Sequence, residues 1–385
     1  NAEQLRLITY NVENYSGQTD RVPALRIIMR DIHPDLVCMQ EIRSTEAVST
    51  LLSQVFLQIN DDWAAVPYHN GDDTDNAFFY RSSKLQIVST RYIETTLRDI
   101  AEYMVRPTAG DTSLRVRVYS LHLKANSGVG DHIERRRQEA LVLRGELDQL
   151  PAGASFMVCG DYNLLYSSEP AYELLLASTP TPNGQLNDPI DSPGHWEGNS
   201  AFAELHTIGS EDLNARFDFI LVSNAMMDRI GSYVLPETYI AYGNDGLHFN
   251  RPVNELPNYA VSDSVAHALV TASDHIPVVT DFILASENSD VSDSPPAPRT
   301  IGLLGCYPNP FNSRTEIRFS LSHDVNVNLR IFNSLGQLVT TLTDNTHAAG
   351  VHTIAWNAAD IPSGVYFYRM TAEGFTNVGK IMLIR

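Results

Sequence analysis

A six-residue apolar run, Ala154–Cys159, is followed directly by the tetrapeptide Gly-Asp-Tyr-Asn at residues 160–163. The run has the length and composition of a buried strand. A strand that ends in this tetrapeptide carries a carboxylate and an amide at its carboxyl end, where layered α/β folds often hold their chemistry. Gly, Asp and Asn also form ordinary turns, so the significance of the tetrapeptide depends on similar clusters elsewhere in the chain.

Strand-like and helix-like segments alternate through residues 1–285, which favours an α/β fold there. The predicted strands are Leu5–Tyr10, Asp35–Gln40, Asn76–Arg81, Leu85–Ser89, Ser113–Leu123, Phe156–Cys159, Phe217–Val222 and Ile276–Leu284. The predicted helices are Arg21–Ile32 with Asp20 as its cap, Ser44–Gln54, and a segment from Asp131 to about Leu150. Residues 179–215 and 236–272 are rich in Pro, Gly and Asn, and we expect loops there, either ordered over the active face or as surface elaboration.

The composition changes after residue 285. Residues 286–300 are acidic and rich in Ser and Pro, which predicts an extended linker without a core of its own. Residues 301–385 contain short alternating segments separated by turn residues, which is typical of an all-β sandwich. A length of 385 residues also favours two domains, which we expect at 1–285 and 301–385.

The net charge of −19 lies almost entirely in the first 285 residues. Such a surface repels phosphate backbones at long range, which argues against an architectural DNA-binding protein. An enzyme that holds phosphate through a divalent cation is still compatible with this acidic surface, because the metal supplies the local positive charge.

Three cysteines without a CxxC pair indicate neither a disulfide scaffold nor a zinc site. No apolar run is long enough to cross a bilayer, and a start at Asn1 without a leader suits a mature exported protein.

Polar clusters stand at the ends of the other predicted strands as well. They contain Asn11 in TYN, Glu41 and Arg43 in QEIR, His122 and Lys124 in SLHLKA, Asp218 in RFDFIL, and Asp274 and His275 in SDH. Each alone has an ordinary structural interpretation as a turn, a cap or a core histidine. Acids that converge at one place repel each other unless a cation lies between them. Oxygen ligands without cysteine favour magnesium, manganese or calcium over zinc.

In these motifs and their order, from TYN to SDHIPV, residues 1–285 resemble the endonuclease/exonuclease/phosphatase superfamily, the fold of deoxyribonuclease I, exonuclease III, sphingomyelinases and inositol polyphosphate 5-phosphatases. The resemblance implies a four-layer α/β sandwich of two packed β-sheets flanked by helices. It also implies an enzyme that hydrolyses phosphate esters with Mg²⁺, or with Mn²⁺ or Ca²⁺. Glu41 would bind the metal directly, with Asn11 and Asp274 completing the site.

The same resemblance implies roles for five catalytic residues. Asp161 would orient or deprotonate the attacking water, and Asn163 would hold the phosphate. His275, paired with Asp218, would act in proton transfer or stabilise the developing negative charge. His122 would be a second group that contacts the phosphate or donates a proton. These roles match the needs of in-line attack, which are a nucleophile, charge neutralisation and a protonated leaving group.

Details of the motifs bear on the substrate. His122 is similar to the histidine of deoxyribonuclease I, the sphingomyelinases and the inositol phosphatases, whereas abasic-site endonucleases usually carry another residue there. Arg43 matches an arginine with which deoxyribonuclease I contacts the DNA minor groove, and Arg106 is aligned loosely with a phosphate-contacting arginine. Asp73 and Asp75 are candidates for the acid that supports His122. The long loops within 179–272 differ from the compact nucleases and are similar to those of secreted bacterial members.

Residues 301–385 resemble the type IX secretion sorting domain, in YPNPFNSRTEIRFSL (Tyr307–Leu321), IFNSLGQLV, Trp356-Asn357 and SGVYFYR. The resemblance implies a small Ig-like β-sandwich, the secretion machinery as a partner, and a secreted or cell-surface location. A generic Ig-like adhesive module is the alternative.

The predicted function is a secreted, divalent-metal-dependent phosphodiesterase that cleaves DNA or RNA in the manner of deoxyribonuclease I, acting as a monomer. Two alternatives use the same fold, namely a phosphomonoesterase and a phospholipid phosphodiesterase. The second depends on aromatic loop residues near the site, Trp196, Phe202 and Phe249. A third alternative is a surface binding module that has lost catalysis.

Overall fold

A computed structural model of the chain describes residues 2–126, 131–178, 181–210, 212–286, 301–307, 309, 311–359 and 361–384. The chain divides into two compact units, Asn1–Asp290 and Val291–Arg385. The predicted linker at 286–300 lies, apart from Ser286, outside the described residues.

Twelve strands are described in the N-terminal unit. They are β1 (Glu3–Tyr15), β2 (Leu36–Ile42), β3 (Trp63–Ala65), β4 (Asp75–Arg81), β5 (Leu85–Ile93), β6 (Ile100–Pro107), β7 (Val116–His122), β8 (Phe156–Asp161), β9 (Leu186–Asn187), β10 (Asp218–Ser223), β11 (Tyr233–Ala241) and β12 (Val278–Leu284). One sheet has the order β11-β12-β1-β2-β4-β3 and the other β5-β6-β7-β8-β10-β9. Two neighbouring pairs are parallel, β1 with β2 and β7 with β8.

The α-helices described in this unit are α1 (Val22–Ile32), α2 (Thr45–Thr50), α3 (His132–Leu147), α4 (Pro170–Leu176) and α5 (Asp263–Ala272). Helix α2 continues as a π-helix over Leu51–Val55. Helix α1 begins one residue later than expected, and its cap position is Arg21, which makes no side-chain capping bond. The Ser44 hydroxyl caps α2 by accepting a hydrogen bond from the Ala47 N–H at 3.0 Å. Asp131 caps α3 in the same way through the Glu134 N–H at 2.9 Å.

Three apolar clusters define the layers of this unit. One lies between the two sheets and joins Leu7 and Cys38 of the first sheet to Val118 and Cys159 of the second. A second lies between the first sheet and helices α1 and α5, and a third between the second sheet and helices α3 and α4. The order helix, sheet, sheet, helix confirms the predicted four-layer α/β sandwich.

The structure corrects part of the local prediction. Strand β6 has no counterpart among the predicted strands, because its sequence, IAEYMVRP, alternates poorly between apolar and polar residues. Strand β11 and helix α5 occupy parts of the 236–272 segment for which loops were expected. Helix α5 buries three alanines together with Val265 and Leu269, and because most of these side chains are small, the sequence shows only a weak helical pattern there.

The C-terminal unit consists of antiparallel strands, which agrees with the predicted all-β fold. The strands are β13 (Gly302–Tyr307), β14 (Arg314–Leu321), β15 (Val325–Asn333), β16 (Leu338–His347), β17 (Gly350–Asn357), β18 (Gly364–Ala372) and β19 (Phe375–Leu383). They form a three-stranded sheet, β13-β14-β17, and a four-stranded sheet, β16-β15-β18-β19. A single cluster that includes Phe319, Leu329, Trp356 and Tyr368 fills the core of the unit.

Candidate active site

Strand directions bring the predicted polar clusters to one edge of the N-terminal unit. In the second sheet His122, at the end of β7, pairs with Asp161 at the end of β8. Asp218 opposite Asp161 begins the antiparallel strand β10. In the first sheet Asn11 lies on β1 and is paired with Gln40, the residue before Glu41 on β2. The strand ends that carry the polar side chains of both sheets therefore lie at the same edge of the unit.

Asn11 connects the two sheets at this edge. Its buried side-chain Nδ2 donates to Glu41 Oε1 and to Asp161 Oδ2, each at 3.0 Å. The second oxygen of Glu41 accepts from the Asn14 N–H at 2.8 Å. Glu41 has a φ of 62°, a left-handed conformation that is uncommon for a residue other than glycine and is frequent at functional sites. The Glu41 carboxylate is thus held in a fixed direction.

Asp161 lies at the centre of the site. Its Oδ1 accepts from the Asn163 N–H at 2.9 Å. Its Oδ2 lies 3.4 Å from His122 Nε2 and 3.8 Å from His275 Nε2. Burial raises the pKa of Asp161 to about 7 even though His275 opposes the rise, and the Asp218 carboxylate adds to it. A carboxylate with such a pKa suits a general base near neutral pH.

Gly160 allows β8 to approach β7 closely enough for this arrangement. Its φ is 143°, and a Cβ added there would lie 1.9 Å from the backbone oxygen of Leu121. Any side chain at position 160 would therefore displace the backbone on which Asp161 is placed.

His275 and Asp218 form a buried pair. The His275 Nδ1 donates to Asp218 Oδ2 at 2.8 Å, and the Thr207 Oγ1 accepts from the Asp218 N–H at 3.0 Å. Burial lowers the pKa of His275, but the Asp218 charge and hydrogen bond, together with Asp161 and Asp274, outweigh this and raise it to about 10. The imidazole is therefore cationic at neutral pH, with Nε2 facing Asp161.

His122, unlike His275, is uncharged at neutral pH. Burial, with nearby Arg98, His275 and Lys124, holds its pKa well below the usual range. The ring is neutral at pH 7, and its Nδ1, 3.9 Å from Glu41 Oε1, has no hydrogen-bond partner within the described part of the chain. The two histidines of the site therefore offer one neutral and one charged imidazole.

Neither acid suggested as a support for His122 is shown in contact with it. The carboxylate of Asp73 pairs with Arg98 Nη2 at 2.7 Å. The carboxylate of Asp75 accepts from the Tyr68 hydroxyl at 2.6 Å and from the Gly71 N–H at 2.8 Å.

Asn163 and Asp274 complete the edge. Asn163 donates through Nδ2 to the Leu123 carbonyl at 3.1 Å and has a φ of 52°. The carbonyl of Asp274 accepts from the N–H groups of Gly209 and Ser210, both at 2.8 Å. Its side chain is 52% exposed, and its Oδ1 lies 3.9 Å from His275 Nε2. Part of the predicted loop 179–215 therefore supports the site from outside.

The two predicted substrate arginines lie in different places. Arg43 is exposed beside Glu41, and its Nε donates to Asn14 Oδ1 at 2.7 Å. The structure does not bring Arg106 to this edge: it pairs with Gln86 at the end of β6. Because β6 runs antiparallel to β7, its beginning and not its end lies near His122.

Arg98 lies at this edge and was missed by sequence reasoning. It precedes the start of β6, and its Nε donates to Thr74 Oγ1 at 3.1 Å while its Nη1 lies 3.5 Å from the Leu123 carbonyl. Only 12% of its side chain is exposed. No sequence motif includes Arg98, because its position at the edge follows only from the direction of strand β6.

The donors at the edge determine which metal ion the site could hold. Within the residues that the structure describes, no group of three or more His, Cys, Asp or Glu side chains is arranged to enclose an ion. Glu41 nevertheless offers a directed carboxylate, and the pKa of nearby Asp161 is raised by burial, which a neighbouring cation would counteract. These donors fit a cation held by one or two carboxylates and otherwise by water, the mode of hard divalent ions.

The fold agrees with the comparison to known families. Residues 8–275 match the Endonuclease/Exonuclease/phosphatase family, and the chain belongs to this family of phosphoesterase hydrolases. Residues 305–384 match the Secretion system C-terminal sorting domain, which marks export to the cell surface or the extracellular space. Both resemblances expected from the motifs are therefore confirmed.

Several solved structures are similar to the chain. An endonuclease/exonuclease/phosphatase family protein from Bacteroides thetaiotaomicron is 14% identical, with 74% of this chain and 99% of that chain covered and a TM-score of 0.47. The human Nocturnin catalytic domain with bound sulfate is 17% identical, with coverage of 72% and 94% and a TM-score of 0.47. D. rerio TDP2 in complex with a single-strand DNA product is 14% identical, with coverage of 73% and 99% and a TM-score of 0.46. No curated protein matches the chain.

None of the helices in the described ranges has both the length and the apolar character needed to span a membrane.

Proposed function

We propose that the chain is an exported, Mg²⁺-dependent phosphodiesterase that cleaves DNA or RNA internally. The observation that carries the proposal is the position of Asp161, which is linked through Asn11 to Glu41 and faces both His122 and His275. A base, a neutral imidazole, a cationic imidazole and a metal-binding carboxylate at one edge are the groups that phosphodiester hydrolysis requires.

Glu41 is the proposed direct ligand of the metal, with Asn11 and Asp274 completing the site through oxygens or water. Mg²⁺ is preferred because it is commonly held by one or two carboxylates, several waters and the substrate phosphate; Mn²⁺ and Ca²⁺ are the alternatives. When bound, the ion would supply positive charge to the phosphate oxygens.

Different side chains of the protein are proposed for the different proton transfers. Asp161 accepts the proton of the attacking water, because its Oδ2 lies at the centre of the site and faces both histidines. The cationic His275, held by Asp218, offers a proton and positive charge to the phosphate. His122, which is neutral, contacts a phosphate oxygen or passes a proton without adding charge.

Phosphate contacts are assigned to side chains around this centre. Asn163 is fixed by its bond to the Leu123 carbonyl and holds the scissile phosphate. Arg43 and Arg98, which flank the edge, are proposed to contact neighbouring phosphates of the strand. Arg106 has no such role in this proposal, because it lies at the other end of β6.

Two of the three aromatic loop residues give no support to a phospholipid substrate. Trp196 is fully buried, and Phe202 packs against the same core cluster of the second sheet and its helices. The third, Phe249, is half-buried, and its ring centroid lies 5.7 Å from that of His206. An apolar lipid-binding surface would need such rings to be exposed.

Plasmid DNA provides the test. Purified protein is expected to nick supercoiled plasmid with Mg²⁺ and to stop with a chelator. Asp161→Asn should lower the nicking rate by about 10²- to 10⁴-fold, the range for loss of a general base. Asp111→Asn, a change of the same kind at an exposed loop residue, should leave the rate unaltered. The absence of nicking by the wild type, with hydrolysis of sphingomyelin or inositol phosphates instead, would overturn the nuclease assignment.

A further inference from the structure

Two aromatic rings stack at the edge beside the proposed catalytic residues. The ring centroids of His69 and Tyr92 lie 3.7 Å apart, with an angle of 11° between the planes. His69 Nε2 bonds to Asp99 Oδ2 at 2.8 Å, and a third of the His69 side chain, 33%, is exposed. The stacked pair, His69 and Tyr92, is therefore a rigid aromatic surface that reaches solvent.

The stacked pair is held by the framework that carries the site. The carbonyl of Asp99 accepts from Asn76 Nδ2 at 3.1 Å. Asn76 Oδ1 in turn accepts from the buried Ser120 hydroxyl at 2.7 Å, and Ser120 Oγ accepts from Gln40 Nε2 at 3.0 Å. Ser120 and Gln40 lie close in sequence to His122 and Glu41, so the stacked pair and the catalytic edge share one hydrogen-bond network.

A cationic side chain, Arg98, lies beside the stacked pair. Arg98 directly precedes Asp99 and reaches the Leu123 carbonyl next to His122. Arg98 Nη2 also pairs with the Asp73 carboxylate at 2.7 Å. One guanidinium, shared with this acid, therefore lies between the stacked pair and the residue that follows His122.

None of the proposed catalytic roles involves these two rings, and part of the His69 imidazole is exposed to solvent. Grooves that combine positive charge with aromatic side chains bind single-stranded nucleic acids, because bases stack on the rings while the cations contact the phosphates. A paired base inside a duplex has no free face for such stacking.

We propose that the stacked pair binds an unpaired nucleobase of the substrate strand, next to the phosphate that is attacked by the water that Asp161 activates. The inference depends on the proposed nuclease function and narrows its substrate to single-stranded or locally unpaired nucleic acid. His69 provides the stacking surface, Asp99 holds its orientation, and the ring accepts any base, so no base sequence is selected.

The test measures binding without turnover, in the background of Asp161→Asn. The probes are a fluorescent 12-residue thymidine strand and a matched strand whose central nucleotides lack bases. In this background the thymidine strand is expected to bind more tightly than the strand that lacks its central bases. Adding His69→Ala should weaken thymidine binding by about 5- to 150-fold, the strength of one base–aromatic stack, and bring the ratio of the two Kd values close to one. His69→Phe, which keeps an aromatic ring, should preserve the ratio.

His352→Ala is the matched control, because His352 stacks on Phe319 at 5.3 Å in the C-terminal unit, and it should leave the ratio unchanged. The proposal would be overturned if the two strands bound equally tightly with His69 in place. It would also be overturned if His69→Ala weakened the binding of both strands equally. Cleavage of both strands by the wild type at equal rates would leave the nuclease function standing and refute the base site. Cleavage of neither strand would refute the base site, and if supercoiled plasmid were also left intact, the nuclease function would be refuted as well.

Discussion

Arg136 on α3 donates two hydrogen bonds to one oxygen of Glu169, from Nε at 2.9 Å and Nη2 at 2.7 Å, and both side chains are fully buried. The other oxygen of Glu169 accepts from the Leu165 N–H at 2.8 Å. Arg136 Nη1 donates to the Lys124 carbonyl at 2.9 Å. The pair therefore joins the chain after His122 to the chain after Asn163, two segments that leave the catalytic edge.

Loss of one member of this pair should destabilise the N-terminal unit. Arg136→Met leaves the Glu169 charge buried without its partner, which typically reduces the free energy of unfolding by about 3–5 kcal/mol. Urea unfolding followed by tryptophan fluorescence measures the change. Arg251→Ala, in an exposed pair with Glu255, should change it by less than about 1 kcal/mol. Similar values for the two variants would contradict a structural role for the buried pair.

The His275–Asp218 pair should act as one catalytic unit. His275→Ala and Asp218→Asn are each expected to lower kcat by about 10²- to 10⁴-fold. The double variant should lose little more than the more damaging single variant, because residues that act together are not additive. Rates of plasmid nicking for the four proteins of this cycle supply the measurement, and multiplication of the two single losses would refute the coupling.

Glu41→Gln should weaken metal use while leaving the fold intact. An amide oxygen carries no negative charge, so the Mg²⁺ concentration for half-maximal nicking should rise by about 10-fold or more. Glu46→Gln, at an exposed position in the first turn of α2, is the matched control and should show the wild-type requirement. An unchanged requirement in Glu41→Gln would exclude this residue as a ligand.

The His248–Asp245 pair should make stability depend on pH. His248 Nδ1 lies 2.7 Å from Asp245 Oδ1 and Nε2 lies 2.6 Å from the Glu255 carbonyl. Both partners are acceptors, so both nitrogens carry protons and the ring is cationic. The hydrogen bond to Asp245 raises the pKa of His248, although burial and Arg251 oppose the rise.

The stabilisation by a cationic His248 is fully present below its unfolded pKa, near 6.5, and is lost as pH rises through the higher folded pKa. The difference in unfolding free energy between wild type and His248→Gln should therefore be larger at pH 6 than at pH 9. The decrease should be about 1.4 kcal/mol for each unit by which the folded pKa is raised. Chemical unfolding at the two pH values measures it, and equal differences would disprove the cationic assignment.

Much of the site could be predicted because strand ends are visible in the sequence. An apolar run followed by Gly-Asp-Tyr-Asn identifies both the strand and the polar residues after it, and the segments at Asn11, Glu41 and His122 have the same form. What could not be predicted are contacts between distant segments. The Arg136–Glu169 pair and the stack of His69 on Tyr92 join residues whose separation in the chain carries no periodic signal.

The order of strand-end motifs by itself determined the family, the layered fold and most of the residues at the catalytic edge, because local apolar patterns decide where strands begin and end. Only the tertiary structure decided which arginines lie at that edge. Arg106 and Arg98 flank the same strand, β6, and that strand runs antiparallel to β7, so its first residues and not its last lie beside His122. Strand direction and register come from pairing between distant segments, and a single sequence does not display that pairing.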